Sequence, residues 1–303
     1  MPSANPAPAS PLVPVLVCAL AILILSAMDA AMKSLVIAIG VYNTVMWRSI
    51  FAAAVSGVAW YSGTPTRPSA ANIRLHCLRA VLIAIIILSF FWGLARLPLA
   101  EGIALSFVAP LIALFLAAMV LGERIQKQAI WASLAGLGGV IVITAGQFTQ
   151  LRFSEDVLLG TLSVLGSTAF YAYNLVLMRR QAQLATPTEI MFFQNIVLTV
   201  LFLVPAPWLA TALPSHLLWP IIAVTGLSLS GQYLMSWAYA RAEAQYLIPT
   251  EYSAFLWAMA LGWYFFGEQV EWTTLVGGGL IIFGCLIAAR SNPKLAEPIE
   301  ATV

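Results

Sequence analysis

The chain has 303 residues, 61% of them hydrophobic and 9% charged, with a mean hydropathy of +0.93. Soluble domains run at about 45–50% apolar and about 25% charged residues, so this composition excludes a water-soluble enzyme, a nucleic-acid-binding module and a disordered scaffold. The formal charge of +2 says little about partners, because in a membrane protein the placement of charges matters more than their sum.

The first eleven residues, MPSANPAPASP, carry no Lys or Arg. They lack the positive n-region of a signal peptide, so a disordered cytoplasmic tail is expected, followed by a retained first helix. Ten apolar runs follow, at 12–32, 42–62, 76–95, 100–121, 128–147, 157–178, 188–208, 217–239, 245–266 and 272–290. Each is long enough for a helix to cross a hydrocarbon core of about 30 Å. The alternation over about ten residues that marks a transmembrane β-strand is absent. Polar segments such as SGTPTRPSAANIR, GERIQKQ and RRQAQLATPTE separate the runs, and 291–303 forms a cytoplasmic tail. The expectation is an all-α membrane protein. The three cysteines, Cys18, Cys77 and Cys285, form no CxxC or Cys/His cluster, so no disulfide framework, metal site or cofactor is implied.

With the N-terminus in the cytoplasm, ten of the fourteen Lys and Arg residues fall inside: Arg67, Arg74, Arg79, Arg124, Lys127, Arg179, Arg180, Arg241, Arg290 and Lys294. Only Lys33, Arg48, Arg96 and Arg152 fall outside. This bias predicts that both termini are cytoplasmic.

The chain also repeats itself. A shift of 145 places Trp92 on Trp237, Arg96 on Arg241 and Gly122-Glu123 on Gly267-Glu268. Each half, 12–147 and 157–290, then holds five helices. An odd number forces the halves into opposite orientations, the arrangement by which secondary transporters expose a midplane site alternately to each side.

The segments WGLARLPLAEGIALSFVAPLIALFLAAMVLGE (92–123) and YLIPTEYSAFLWAMALGWYFFGE (246–268) resemble the ends of EamA repeats of the drug/metabolite transporter superfamily. The resemblance covers about 12–290. It implies a bacterial inner-membrane carrier with helices 1–4 and 6–9 around a cavity and helices 5 and 10 at the periphery. Relatives of this kind include amino-acid exporters of the YddG type and carriers for riboflavin and S-adenosylmethionine. Amino-acid export is the first expectation, and cofactor uptake the alternative. Other expected partners are the bilayer, protons as a coupling ion, and at most a second copy of the chain; nucleic acid is not expected.

Ionisable groups inside membrane helices usually face a cavity or a partner. Asp29 and Lys33, four apart, can pair along one face; with Arg48 they form an expected outer gate or helix tie, and Arg48 can also meet a substrate carboxylate. Glu251 follows Pro249 in the ninth run, with Tyr252 beside it, and the repeat relates this pair to Ser106 and Phe107. These four, together with Trp92, Trp237, Gln194, Asn195, Tyr171 and Gln232, are the expected substrate contacts. Pro110 and Pro249 are expected hinges. Glu123 and Glu268 are read as helix-end residues. No GxxxxGK[ST] is present, so energy must come from a gradient or from exchange. A membrane enzyme is disfavoured: His76 and His216 are the only histidines, both sit at run ends, and there is no HExxH.

Overall fold

A computed structural model describes residues 12–63, 68–109, 112, 116, 127–149, 154–182, 184–239 and 253–290, and every long element among them is helical. The elements are α1 (Leu12–Tyr61), α2 (Ala70–Leu94), α3 (Leu99–Ser106), α4 (Lys127–Thr149), α5 (Glu155–Ala182), α6 (Pro187–Leu203), the short α7 (Ala206–Leu209), α8 (Leu218–Tyr239), α9 (Ser253–Phe266) and α10 (Trp272–Arg290). Three of the described helices, Val13–Tyr61, Ala70–Leu94 and Ser215–Ala238, are long and apolar enough to cross a membrane. Large apolar side chains such as Trp131, Trp208, Trp219, Trp263 and Trp272 stand exposed on the outside, where a bilayer rather than water would cover them. The protein is an all-α, multi-pass membrane protein.

α1 contains the first two apolar runs, joined at a single non-helical residue, Gly40 (φ 78°, ψ 158°). Only glycine adopts this backbone without strain, and nothing lies within 4 Å of where a Cβ would stand, so the constraint is conformational and not steric. The expected break at 33–41 is not a loop. The segment KSLVIAI carries no Gly or Pro, and helix persists to residue 39. Lys33 therefore lies within a helix and not at its exit. The two arms run in opposite directions. Cys18 and Leu25 of the first arm meet Met235 and Gly231 of α8, while Arg48 of the second arm meets Ser228.

Local signals set the other boundaries. Ser69 caps α2 by accepting from the Asn72 N–H, so the helix starts ahead of the apolar run. Residues His76 and Arg79 thereby fall inside it. Thr186 caps α6 by accepting from the Glu189 N–H, and Pro205 interrupts the seventh run, which ends as α6 and α7. α3 stops at Ser106, where the Phe107 and Val108 N–H groups bond to the Ala104 and Leu105 carbonyls, three residues back. A proline four residues on has no N–H with which to continue the helical bonding. Pro110 and Pro249 themselves lie outside the described residues.

Three helix pairs across the two halves are antiparallel. In α4 and α10, Gly139 faces Ile281 while Ile143 faces Gly277, and the two glycines press against each other's carbonyls. α2 and α5 pair Ser89 with Ser163 and Arg79 with Asn174. The first arm of α1 pairs with α8 in the same sense. Gly93 and Gly160 meet at the α2–α5 crossing, and their counterparts under the 145-residue shift, Ala238 and Val15, share one apolar cluster.

The α4–α10 contact gives a stability prediction. Leucine at Gly139 or Gly277 would overlap the facing backbone. Overpacking costs about 1–3 kcal/mol, so either variant should lower the thermal midpoint in detergent by several degrees. Gly138→Leu, with nothing within 4 Å, should leave the midpoint unchanged.

Candidate functional site

Two polar clusters in the half of the bundle near Gly40 involve residues singled out in the sequence. The deeper one lies between the two arms of α1 and α8. Arg48 is 5% exposed. Its Nη1 donates to Ser228 Oγ at 2.8 Å, and Ser228 Oγ also accepts from Gln232 Nε2 at 3.1 Å. Asp29, half-buried on the first arm, interacts electrostatically with Arg48. The Arg48 Nε has no hydrogen-bond partner among the described residues. A buried guanidinium donor without an acceptor is costly, and the side-on face of an arginine fork matches a carboxylate. The expected contact Gln232 and the gate residue Arg48 thus come together through the Ser228 hydroxyl, with the gate residue Asp29 in electrostatic reach of Arg48.

One helical turn further along the first arm, Lys33 is 4% exposed. It bonds to Glu268 Oε1 at 2.5 Å and to the Leu97 carbonyl at 2.6 Å, and lies 4.8 Å from the Phe266 ring centroid. Glu101 adds a further electrostatic interaction with it. The second Glu268 oxygen accepts from the Leu99 N–H at 2.6 Å, which caps the start of α3. Gly267, at φ 62°, turns the chain at the end of α9 so that Glu268 points back into this cluster, while the Gly267 and Glu268 N–H groups bond to the Trp263 and Gly262 carbonyls. Lys33 therefore pairs with Glu268 and not with Asp29. Glu268 does more than end its helix: it ties α9 to α1 and to the α2–α3 corner.

The other expected contacts are dispersed. Ser106 Oγ donates to the Gly102 carbonyl of its own helix, and Phe107 stands where that helix stops. Trp92 is half-buried, with the Arg96 guanidinium 3.5 Å from its ring centroid and Arg96 Nη1 on its carbonyl. Trp237 packs with Cys18, Ile22 and Met235 at the first-arm–α8 seam. Asn195 is buried and bonds back to the Met191 carbonyl; Gln194 beside it is half-buried, and Tyr171 is exposed. Glu251 and Tyr252 lie outside the described residues.

A third cluster was not singled out as a site. His76 and Arg79 of α2, Asn174 and Gln181 of α5 and Glu189 of α6 are all at most 8% exposed. His76 Nε2 lies 3.1 Å from Glu189 Oε1, and its Nδ1 lies 2.5 Å from Gln181 Nε2. Arg79 donates through Nε to Asn174 Oδ1 at 3.0 Å and through Nη1 to Gln181 Oε1. The His76 ring stacks on Phe193 at 5.0 Å between centroids. A signal did exist in the sequence: residues three apart share a helix face, and Thr186-x-x-Glu189 has capping-box spacing. Counting His76 and Arg79 as end-of-run groups hid it.

Antiparallel helix pairs around buried charges, inside a shell of exposed apolar side chains, have the make-up of a membrane transporter. The comparisons agree. The EamA-like transporter family matches residues 12–145 and 158–290, and the chain belongs to that family of the drug/metabolite transporter superfamily. It is 27% identical over 223 residues to a pseudopaline exporter of Pseudomonas aeruginosa, covering 73% of this chain and 76% of that one. It is 24% identical over 229 residues to a riboflavin transporter of Brucella anthropi, covering 73% and 78%. A solved structure superposes with a TM-score of 0.64 over 93% of this chain and 100% of the other at 19% identity, a likeness of fold.

Proposed function

We propose that the protein is a secondary transporter that exports amino acids or related small metabolites across the bacterial inner membrane by alternating access. In this reading the halves 12–147 and 157–290 are five-helix units of opposite orientation with both termini cytoplasmic. The carrying observation is the buried Arg48, with its Nε unpartnered among the described residues and with Asp29 of the first arm in electrostatic reach. Together the two offer both signs of charge inside the membrane-crossing part of the chain, and so suit a ligand that bears an ammonium and a carboxylate. Such groups are rare in membrane helices and mark substrate paths. The antiparallel pairing across the halves supports rocking, and the stop of α3 at Ser106 supports bending ahead of Pro110. Lys33 and Glu268 form the gate at the Gly40 end. Glu251 and Tyr252 are the further proposed substrate contacts. A second reading, uptake of a cofactor such as riboflavin, is favoured by the riboflavin transporter among the relatives.

Counterflow in liposomes of the purified protein tests both readings. Vesicles preloaded separately with each common amino acid, riboflavin or S-adenosylmethionine are expected to exchange labelled amino acid saturably. Exchange of a cofactor alone would move the assignment to the second reading, and no exchange of any of these would overturn the proposal.

A further inference from the structure

The third cluster has no part in binding substrate as proposed above, yet it is the most elaborate buried polar network among the described residues. It also stands at the opposite end of α2 from the Lys33–Glu268 tie. His76 lies near the start of α2, and Leu97, which accepts from Lys33, lies just past its end. At about 1.5 Å per residue, the two are roughly 30 Å apart, about the thickness of a hydrocarbon core. Each ties one half of the chain to the other: Lys33 and Leu99 of the first half to Glu268 of the second, His76 and Arg79 of the first to Gln181 and Glu189 of the second.

The hydrogen bonds fix the protonation state. Arg79 can only donate, so the Gln181 oxygen faces Arg79 and the Gln181 amide nitrogen faces His76. His76 Nδ1 is then an acceptor and carries no proton. Nε2 holds the ring's one proton and donates it to the Glu189 carboxylate. The imidazole is neutral, and Glu189 and Arg79 are the opposite charges at the two ends of a four-residue chain. A proton added at Nδ1 meets the Gln181 NH2 donor head-on. Relief requires the Gln181 amide to turn, which points the same NH2 at Arg79, a second donor. A proton added at Glu189 instead removes the negative charge that balances Arg79. A proton at Nδ1 thus breaks the Gln181 bridge between α2 and α5 while Nε2 still donates to Glu189 of α6, and a proton at Glu189 leaves Arg79 without its balancing charge. The groups facing His76 are Arg79 from its own helix, Gln181 from α5 and Glu189 with Phe193 from α6; Tyr171 of α5 interacts with Arg79.

We propose that the His76–Glu189 pair, bracketed by Gln181 and Arg79, is a proton-binding site whose occupancy unlocks this end of the bundle, so that one proton enters the cycle in exchange for substrate. Its use in export rests on the transport reading, but proton uptake by the pair does not.

The test combines two readouts on wild type, His76→Gln and Glu189→Gln. The first is proton uptake by purified protein in weakly buffered detergent, followed with a pH indicator as acid is added. Wild type is expected to take up one proton per chain that both variants lack. The second is liposome transport of the amino acid, or of riboflavin or S-adenosylmethionine, found to exchange in counterflow. Both variants should keep exchange at equal pH within twofold, yet lose at least tenfold of the accumulation driven by a one-unit pH gradient. His76→Gln keeps the Glu189–Arg79 charge pair, so it guards against a folding failure in Glu189→Gln. Titration identical to wild type, or equal loss of exchange and of gradient-driven transport in folded protein, would overturn the site and leave a structural brace. Proton uptake that vanishes in the variants, in a protein that carries none of the tested solutes, would sink the transport reading and leave the proton site standing.

Discussion

Arg48→Gln is expected to lower kcat/KM for a carboxylate-bearing substrate by about a hundredfold or more in liposome transport. Truncating one partner of a buried, hydrogen-bonded charge pair costs about 2–5 kcal/mol, and about 1.4 kcal/mol is a factor of ten. Arg48 has one donor on Ser228 and another unpaired, so a substrate carboxylate would gain a preset partner. Arg48→Lys should fall between wild type and Arg48→Gln, because an ammonium keeps the charge but not the planar fork. Arg48→Gln also strands Asp29, and part of its effect will be lost stability. The Asp29→Asn/Arg48→Gln double variant separates the two. With both charges gone, its thermal midpoint should return toward wild type while transport stays absent. Recovery of transport in the double variant would show that the pair serves folding alone.

Lys33→Met should be the most destabilising single change at the Gly40 end, by about 3–5 kcal/mol, because it leaves Glu268 in the bundle without its counter-charge. The more telling experiment is the exchange Lys33→Glu/Glu268→Lys. A simple ion pair tolerates such a swap. Here each side chain also holds a backbone group of fixed polarity: Lys33 donates to the Leu97 carbonyl, and Glu268 accepts from the Leu99 N–H. Reversal would aim a carboxylate at a carbonyl and an ammonium at an N–H. The swapped protein is expected to be no more stable than Lys33→Met when thermal midpoints are compared in one detergent. A midpoint restored to that of wild type would reduce the tie to its charges.

The helical, membrane-embedded character and the doubling were legible in the sequence, because they follow from composition and from spacing along the chain; the seam of α4 and α10 depends on how two distant helices meet. Helix ends were less so. Residues 33–39 look like a break because Lys33 follows a long apolar run, but nothing there stops a helix before Gly40. The membership of the first cluster was partly legible. Asp29, Arg48 and Gln232 stand out individually as polar groups in apolar runs. Their meeting at Ser228 depends on how α1 and α8 are rotated about their axes, and spacing along one helix does not encode that. Glu268 reads as a helix-end residue because its second role is set by Lys33 and Leu99, 235 and 169 residues earlier. His76 was discounted for lying at the edge of a hydrophobic window, although the Ser69 cap carries α2 past that edge.

The corner at Gly40 has a mechanical consequence. Most neighbouring spans are joined by a loop with slack, so one can tilt without dragging the next. A one-residue corner has none. In the transport cycle proposed above, a swing of the first arm on release of Lys33 from Glu268 would carry the start of the second arm with it, and the angle between the arms could change only through the backbone dihedrals of Gly40. Asp29 and Arg48 lie on opposite limbs, eleven residues before the apex and eight after it, so the spacing of the two side chains would be set at that one corner. Selectivity for the span between a ligand's two charges would thus depend on the angle held at Gly40.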